Sequence, residues 1–312
     1  MKKLSFFIFC LSLTSALLAQ TKKASYPIED IATIQLAEDS LSTLSEMMVH
    51  DSIPENRFDA CKKFIPDLVN VLKKKNSFNY QFEKLPSVSI LYPPDSTFRI
   101  FSWQIYVDKD TYQQYGAIQM NSSELKLFRL LDKPMFHPNI NRVQLKADEW
   151  IGAVYYNIHQ FDTPQGKKYL LFGFDGHSFF TKQKIMEVLS FEDGNPIFGA
   201  PVFKKVSKRG SPITNYRLLI KYSAETTIRL NYDPNMEMVI FDHVLPQSSP
   251  FPGQSTTYLP DGSYEGYKLE KGAWIHIDKV FDHKYEENEF PVPDPVLGKE
   301  SKRKQKDLFG NQ

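Results

Sequence analysis

The side chains best suited to chemistry by type and spacing are histidines that lie close to aspartates. His276 and Asp278 are two residues apart, Asp282 and His283 follow them, and a further Asp-His step lies at 242–243. Residues two apart in a β-strand point to one face, so His276 and Asp278 can act together as metal ligands or as an acid–base pair. The alternative is an ordinary polar strand face, because isoleucines alternate with them.

A second pair of this kind closes the apolar stretch 150–176. Asp175 and His177 flank Gly176, and Ser178 follows. Loops at strand ends often carry functional residues, so His177 can serve as a base that is oriented by the Asp175 carboxylate. The alternative interpretation is a glycine turn with two exposed polar residues.

Established catalytic motifs are absent from the sequence. It contains no GxSxG, GxGxxG, P-loop, HExxH, CxxC or EF-hand pattern, so no cofactor and no metal ligand set is predicted. Cys61 is the one cysteine beyond the first 19 residues, which leaves no partner for an intramolecular disulfide. Its apolar helical context predicts a buried small hydrophobe rather than a reactive thiol.

The three tryptophans could serve glycan binding. Trp103, Trp150 and Trp274, with the 16 tyrosines, are rings on which a sugar could stack. Aromatic side chains within apolar strands also form cores, so the alternative is that all three are buried.

Three Asp-Ser pairs are similar to the Asp-Ser/Thr-apolar acceptor motif of periplasmic O-glycosylation in some Gram-negative bacteria. The candidate acceptors are Ser40, Ser52 and Ser96, in the sequences DSL, DSI and DST. Asp-Ser is equally common as a helix cap or a turn, and this alternative remains open.

A predicted β-hairpin must position Asp175 and His177. Its apolar runs, Trp150–Phe161 and Lys168–Phe174, flank a turn at 162–166 that contains proline and glycine. Each run is apolar on both faces, so both faces must be covered by other parts of the chain. The hairpin is therefore expected at the centre of a large β domain.

The remaining sequence predicts a mainly β protein with antiparallel meanders and an N-terminal pair of α-helices. Residues 20–85 carry apolar positions at helical spacing, which indicates helices that pack on the β domain or bind a partner. Pro66 is expected to kink or split the second helix. Residues 86–290 form the antiparallel β domain, and residues 291–312 a disordered tail rich in proline and lysine. Within the β domain, a three-strand meander is predicted over Tyr216–Tyr222, Thr226–Tyr232 and Met236–His243.

Two turns of similar chemistry indicate an internal repeat. Pro94-Asp95-Ser96-Thr97-Phe98 and Pro260-Asp261-Gly262-Ser263-Tyr264 each precede an aromatic strand start, and Gly-Ala pairs recur at 116, 152, 199 and 272. Units of about 40 residues are typical of propeller blades. The Pro-Asp-Gly turn resembles the blade starts of TolB-type propellers over residues 92–107 and 258–269, although Ser96 replaces the glycine in the first copy. The resemblance implies a propeller-like fold; a β-sandwich or a large twisted sheet is the alternative.

The first 19 residues predict a secretory signal peptide. Lys2 and Lys3 precede an uncharged apolar run that ends at Ala19 and is too short to span a bilayer. Removing residues 1–19 takes away two of the 38 basic residues and none of the 37 acidic ones, so 36 against 37 leaves a formal net charge of −1. This near-neutral charge provides no electrostatic basis for binding nucleic acid. The mature chain has no second apolar run of membrane length, so no transmembrane segment is expected there.

The whole chain resembles the uncharacterised exported β-rich proteins of Gram-negative bacteria. The signal peptide and the missing catalytic motifs predict a non-enzymatic binding or scaffold protein of the periplasm, the cell surface or the medium. Its partner is an unknown protein or glycan of the cell envelope. The alternatives are a hydrolase that uses Asp and His groups on loops, and a glycan-binding module.

Overall fold

The computed structural model describes residues 27–28, 30–108, 110–133, 139–207, 209–248 and 256–281. Within these ranges 48% of the residues lie in β-strands, and two helices precede the sheets. The prediction of a mainly β protein with antiparallel sheets and an N-terminal pair of helices is confirmed. The predicted signal peptide and the predicted tail lie outside the described residues. No helix in the described part of the chain is long and apolar enough to cross a bilayer.

The two helices, α1 (Ile31–His50) and α2 (Pro54–Leu72), pack against each other. α2 begins with proline, which suits a first helical turn because the backbone N–H there has no partner within the helix. The helix then continues through Pro66 and does not split there. Pro66 lies on the exposed side, while Phe64 and Leu68 are buried beside it, so packing holds the helix together where one backbone donor is missing.

The strands of the described ranges form three sheets. The first sheet is an antiparallel meander of four strands in chain order. Its strands are β1 (Ser89–Leu91), β2 (Phe98–Asp108), β3 (Thr111–Met120) and β4 (Leu127–Leu131).

The second sheet contains the predicted central hairpin. Its order is β5-β9-β8-β7-β6, and β12 pairs with the first half of β8. Asp193 and Gly194 both have positive φ in the two-residue turn between β8 and β9, as the hairpin turn matched to strand twist requires. The strands are β5 (Leu145–Lys146), β6 (Val154–Thr163), β7 (Gly166–Asp175), β8 (Thr181–Glu192), β9 (Asn195–Phe198) and β12 (Arg217–Ser223).

The third sheet has the order β11-β10-β16-β15-β14-β13, and its β10–β16 pair is parallel. Its strands are β10 (Phe203–Val206), β11 (Pro212–Asn215), β13 (Leu230–Asp233), β14 (Met238–Gln247), β15 (Thr257–Glu270) and β16 (Ala273–Ile277). The predicted three-strand meander over residues 216–243 is wrong in its first strand, because β12 belongs to the second sheet. There the buried Arg217 is paired with the buried Glu187 of β8.

In the described part of the chain, three apolar cores separate four layers. The helices cover one face of the first sheet through a core that includes Phe101 and Trp103, and the opposite face of that sheet meets the second sheet. The second sheet meets the third through a further core. In β7, Leu171 lies in the core between the first and second sheets, and Phe172 lies in the core between the second and third sheets. The hairpin that is apolar on both faces is therefore covered on both faces.

Candidate functional site

His276 and Asp278, the first pair that the sequence singled out, are in contact. His276 lies in β16 and Asp278 just after it, with 3.1 Å between Nδ1 of His276 and Oδ1 of Asp278. The imidazole is buried, whereas the aspartate is exposed. The Asp-His step at 242–243 lies in β14. Asp282 and His283 lie outside the described residues.

Glu265 of β15 joins two histidines into one chain of contacts. Its Oε2 atom is 2.5 Å from Nε2 of His276, and its Oε1 atom is 3.5 Å from Nε2 of His243. The other ring nitrogen of His243, Nδ1, is 2.8 Å from Oδ2 of Asp261. Carboxylates and imidazoles thus alternate through Asp261, His243, Glu265, His276 and Asp278, which we name the imidazole–carboxylate chain.

Two carboxyl groups of this chain have lowered pKa values. Hydrogen bonds from the side chain and backbone of Ser263, with a further contribution from His243, lower the pKa of Asp261 to about 2. Burial raises the pKa of Glu265, but the hydrogen bond from His276 and neighbouring positive charges outweigh burial and shift this pKa downward. Both groups are therefore ionised at neutral pH and accept hydrogen bonds.

The geometry of the imidazole–carboxylate chain does not favour general-base catalysis. Both ring nitrogens of each histidine face a carboxylate oxygen, so neither ring has a nitrogen directed at a substrate. The arrangement suits charge-assisted hydrogen bonding between strands. Sequence reasoning missed Glu265 and Asp261 because the register of β14, β15 and β16 brings them to the histidines, and no local spacing signals that register.

Asp175 and His177, the second predicted pair, also meet. The Nδ1 atom of His177 is 3.4 Å from Oδ2 of Asp175, and the imidazole is partly exposed. The other carboxylate oxygen, Oδ1, accepts hydrogen bonds from Nε2 of Gln114 at 2.8 Å and from the backbone N–H of His177 at 2.9 Å. Asp175 therefore orients the imidazole and at the same time shapes the turn, so both interpretations of this pair describe part of its geometry.

Two phenylalanines beside this pair are unusually exposed. The side chains of Phe179 and Phe180 are 57% and 74% exposed, although large aromatic residues are ordinarily buried. Their rings contact each other edge to face, with 4.9 Å between the centroids. We name residues 176–180, which join β7 to β8, the aromatic turn.

The aromatic turn is held by bonds from several elements. The Nζ atom of Lys182 donates to the carbonyls of Gly176 at 3.1 Å and Ser178 at 2.8 Å, and it lies over the ring of Tyr112. The carbonyl of Phe180 accepts from the backbone N–H of Ala224 at 2.9 Å. A side chain at Gly176 would place its Cβ 2.7 Å from the Tyr112 ring, so this close approach requires glycine. The turn is thus fixed while its two phenyl rings face solvent.

The three tryptophans are buried, each with at most 4% exposure, so none presents a ring face to a sugar.

Cys61 is buried as well, and burial raises its thiol pKa to about 11 against the opposing effect of hydrogen bonds with Trp103 and Tyr115. The predicted burial of Cys61 is confirmed, and its low reactivity stays a prediction.

The three candidate glycosylation serines lie in different settings. Ser40 is exposed within α1, Ser52 is exposed between the helices, and Ser96 is partly exposed in the turn before β2. Asp51 and Asp95, which precede the last two, accept backbone hydrogen bonds from residues two positions further on, as aspartates of turns and caps do. Modification of these serines stays a prediction.

Other surfaces of the described chain offer less chemistry. Across the described ranges, no three His, Cys, Asp or Glu side chains are arranged to hold a metal ion. A groove of about 730 Å³ lies between α1 and residues 79–84, and its lining includes no residue of the imidazole–carboxylate chain or the aromatic turn.

Comparisons of the chain with protein-family models, with curated proteins and with solved structures found no match.

Proposed function

We propose that this chain is an exported, non-enzymatic binding protein of the cell envelope, and that the aromatic turn contacts a partner protein. The observation that carries the proposal is the exposure of Phe179 and Phe180 on a turn that several elements hold in place. Export is supported by the N-terminal sequence, which has the basic start and short apolar run of a signal peptide.

The energetics of the turn favour binding. Transfer of a phenylalanine side chain from water into an apolar pocket contributes about 1.5–3 kcal/mol, so two rings can anchor an interface. Because Lys182 and Ala224 already fix the backbone of the turn, little further ordering is needed when a partner binds. A protein partner is favoured over a glycan because all three tryptophans are buried, whereas the exposed rings lack a polar group.

The test begins with a photo-reactive amino acid at position 180 in the organism that produces the protein. A matched control carries the same probe at Leu36, which is 72% exposed on α1. We expect one discrete cross-linked partner at position 180 that the Leu36 probe does not capture. With that partner purified, Phe180→Ser should weaken binding at least tenfold and Leu36→Ser should leave it unchanged. Equal cross-linking at both positions, or unchanged binding by Phe180→Ser, would refute the proposed site.

A hydrolase is the second candidate function, and the contact between Asp175 and His177 is the observation that favours it. His177→Ala should then abolish turnover of a substrate while the fold survives, whereas the binding protein proposed first has no turnover to lose. His276 and Asp278 are weaker candidates for this role, since both nitrogens of His276 are engaged by carboxylates. A His276→Ala variant tests them in the same assay.

The propeller-like arrangement of the sheets is also part of the proposal. It is supported by the face-to-face stacking of three sheets that are largely antiparallel meanders, as neighbouring blades stack in a propeller. A β-sandwich-like open stack is the alternative. An experimental structure of the whole mature chain distinguishes them by whether the sheets surround a common axis.

A further inference from the structure

The hairpin of β14 and β15 extends beyond the third sheet. β13 pairs with β14 only as far as Phe241, and β16 pairs with β15 only from Gly266 onward. Within the described part of the chain, residues 244–247 and 257–260 consequently pair with each other alone, and Val244 at the base also packs against the core between the second and third sheets. We name these two segments the hairpin arm. A two-stranded ribbon is marginally stable by itself, so the direction of the arm depends on what holds its base.

The base of the arm is a β-bulge in β15, where residues 261–263 lie opposite the single residue His243 of β14. The register shifts between Asp242, opposite Tyr264, and Val244, opposite Pro260. A bulge bends the strand that contains it and marks a point where the two strands can change direction. The imidazole of His243 contacts Asp261 and Glu265 on the opposite strand, and therefore ties both strands together at this bend.

Charged groups lie near this imidazole on its own strand and on other strands of the third sheet. Asp242 precedes it on β14, and Asp261 and Glu265 face it from β15. His276 and Asp278 continue the chain on and after β16, and Lys205 of β10 contributes a positive charge near Glu265. When both histidines are neutral, the imidazole–carboxylate chain itself contains three carboxylates and no positive charge.

We propose that the imidazole–carboxylate chain is a pH-sensitive hinge that holds the hairpin arm when its histidines are protonated and releases the arm when they are neutral. Both nitrogens of His243 face carboxylate oxygens, and only an imidazolium can donate a hydrogen bond to each of them. Loss of one proton leaves a lone pair directed at a carboxylate and removes the charge that balances Asp261 and Glu265. A hydrogen bond across the bulge is then replaced by electrostatic repulsion between the lone pair and the carboxylate.

The direction of the effect follows from which groups titrate. Protonation gives an imidazole a positive charge, so the arm is held on the acidic side of the transition and loosened on its alkaline side. The carboxylate of Asp261 stays ionised well into acid, because its pKa is lowered to about 2. The held state therefore extends over mildly acidic conditions.

Hydrogen exchange on the full mature chain tests the hinge. Amide protection of the non-proline residues in 244–247 and 257–260 is compared at pH 5.5 and pH 8, with exposure times corrected for the intrinsic pH dependence of exchange. In the wild type we expect about three- to tenfold greater protection at pH 5.5, the range for loss of one charge-assisted hydrogen bond at a partly exposed site. His243→Gln should show the low protection at both pH values.

Two further variants complete the experiment. His50→Gln removes an exposed histidine of α1 and should retain the wild-type pH dependence of the arm. Asp261→Asn removes the charged carboxylate that contacts His243. This variant is used in the test if His243→Gln does not fold. Equal protection of the wild-type arm at both pH values, or an unchanged pH dependence in a folded His243→Gln or Asp261→Asn variant, would overturn the proposal.

Discussion

Replacement of Glu187 by glutamine should destabilise the fold severely, because Glu187 neutralises a fully buried arginine. Nε of Arg217 is 3.2 Å from Oε2 of Glu187, and both side chains have no solvent exposure. Oε1 of Glu187 accepts a hydrogen bond of 2.6 Å from the hydroxyl of Tyr155. Arg217 also donates to the carbonyls of Ile140, Val143 and Phe198, so the pair links the second sheet to the loop before β5.

The magnitude follows from the burial of the pair. Breaking a buried ion pair by removing one charge costs about 3–5 kcal/mol, because the other charge is left uncompensated. Glutamine keeps one oxygen acceptor for Arg217 or Tyr155, so the lower end, about 3 kcal/mol, is expected for Glu187→Gln. For a domain of this size, that corresponds to a fall in Tm of about 6–12 °C.

Urea unfolding at pH 7, followed by circular dichroism, measures the change in free energy. Asp59→Asn is the control: it breaks the Lys62–Asp59 pair, whose side chains are 76% and 66% exposed. Such a surface pair contributes less than about 1 kcal/mol, so the control should unfold close to the wild type. A Glu187→Gln variant within about 1 kcal/mol of the wild type would refute the reasoning, since it would mean that the carbonyl acceptors alone compensate the buried charge.

Two further predictions concern titrating groups. The pKa of Asp261 in the fold, about 2, lies below its ordinary value of 3.8, so its contribution to stability is present above that value and is lost as the pH falls toward 2. Asp261→Asn should therefore lose less stability than the wild type between pH 5 and pH 3 in urea unfolding; a parallel pH dependence of the two would contradict the assigned pKa. The thiol of Cys61, buried and with a pKa of about 11, should react with a disulfide reagent at pH 8 far more slowly in the folded protein than in urea, and equal rates would show that the site is open.

Part of the candidate site could be predicted from short spacings. His276 with Asp278, and Asp175 with His177, are each two residues apart, and in the structure each pair is in contact. Phe179 and Phe180 follow His177 after one intervening residue, Ser178. Sequence reasoning did not single them out, because a pair of phenylalanines in a chain rich in this residue gives no indication of exposure. Exposure depends on whether another layer of the fold covers the turn.

The partners from distant strands could not be predicted in this way. Glu265 reaches His243 and His276 through the pairing of β15 with its two neighbours, and a shift of one residue would turn its side chain to the opposite face. The tryptophans illustrate the same limit, since their sequence context allowed a surface platform or a core. All three proved to be buried.

The sequence by itself determined the elements whose pattern is local. The two helices follow from apolar residues at helical spacing, and the central position of β6 and β7 follows from runs that are apolar on both faces. Only the tertiary structure decided that β12 joins β8 rather than β13, and that two histidines share one glutamate. Helical and strand periodicity arises between near neighbours in the chain. The choice of strand partners, in contrast, depends on which distant surfaces bury the most apolar area and satisfy buried charges such as Arg217.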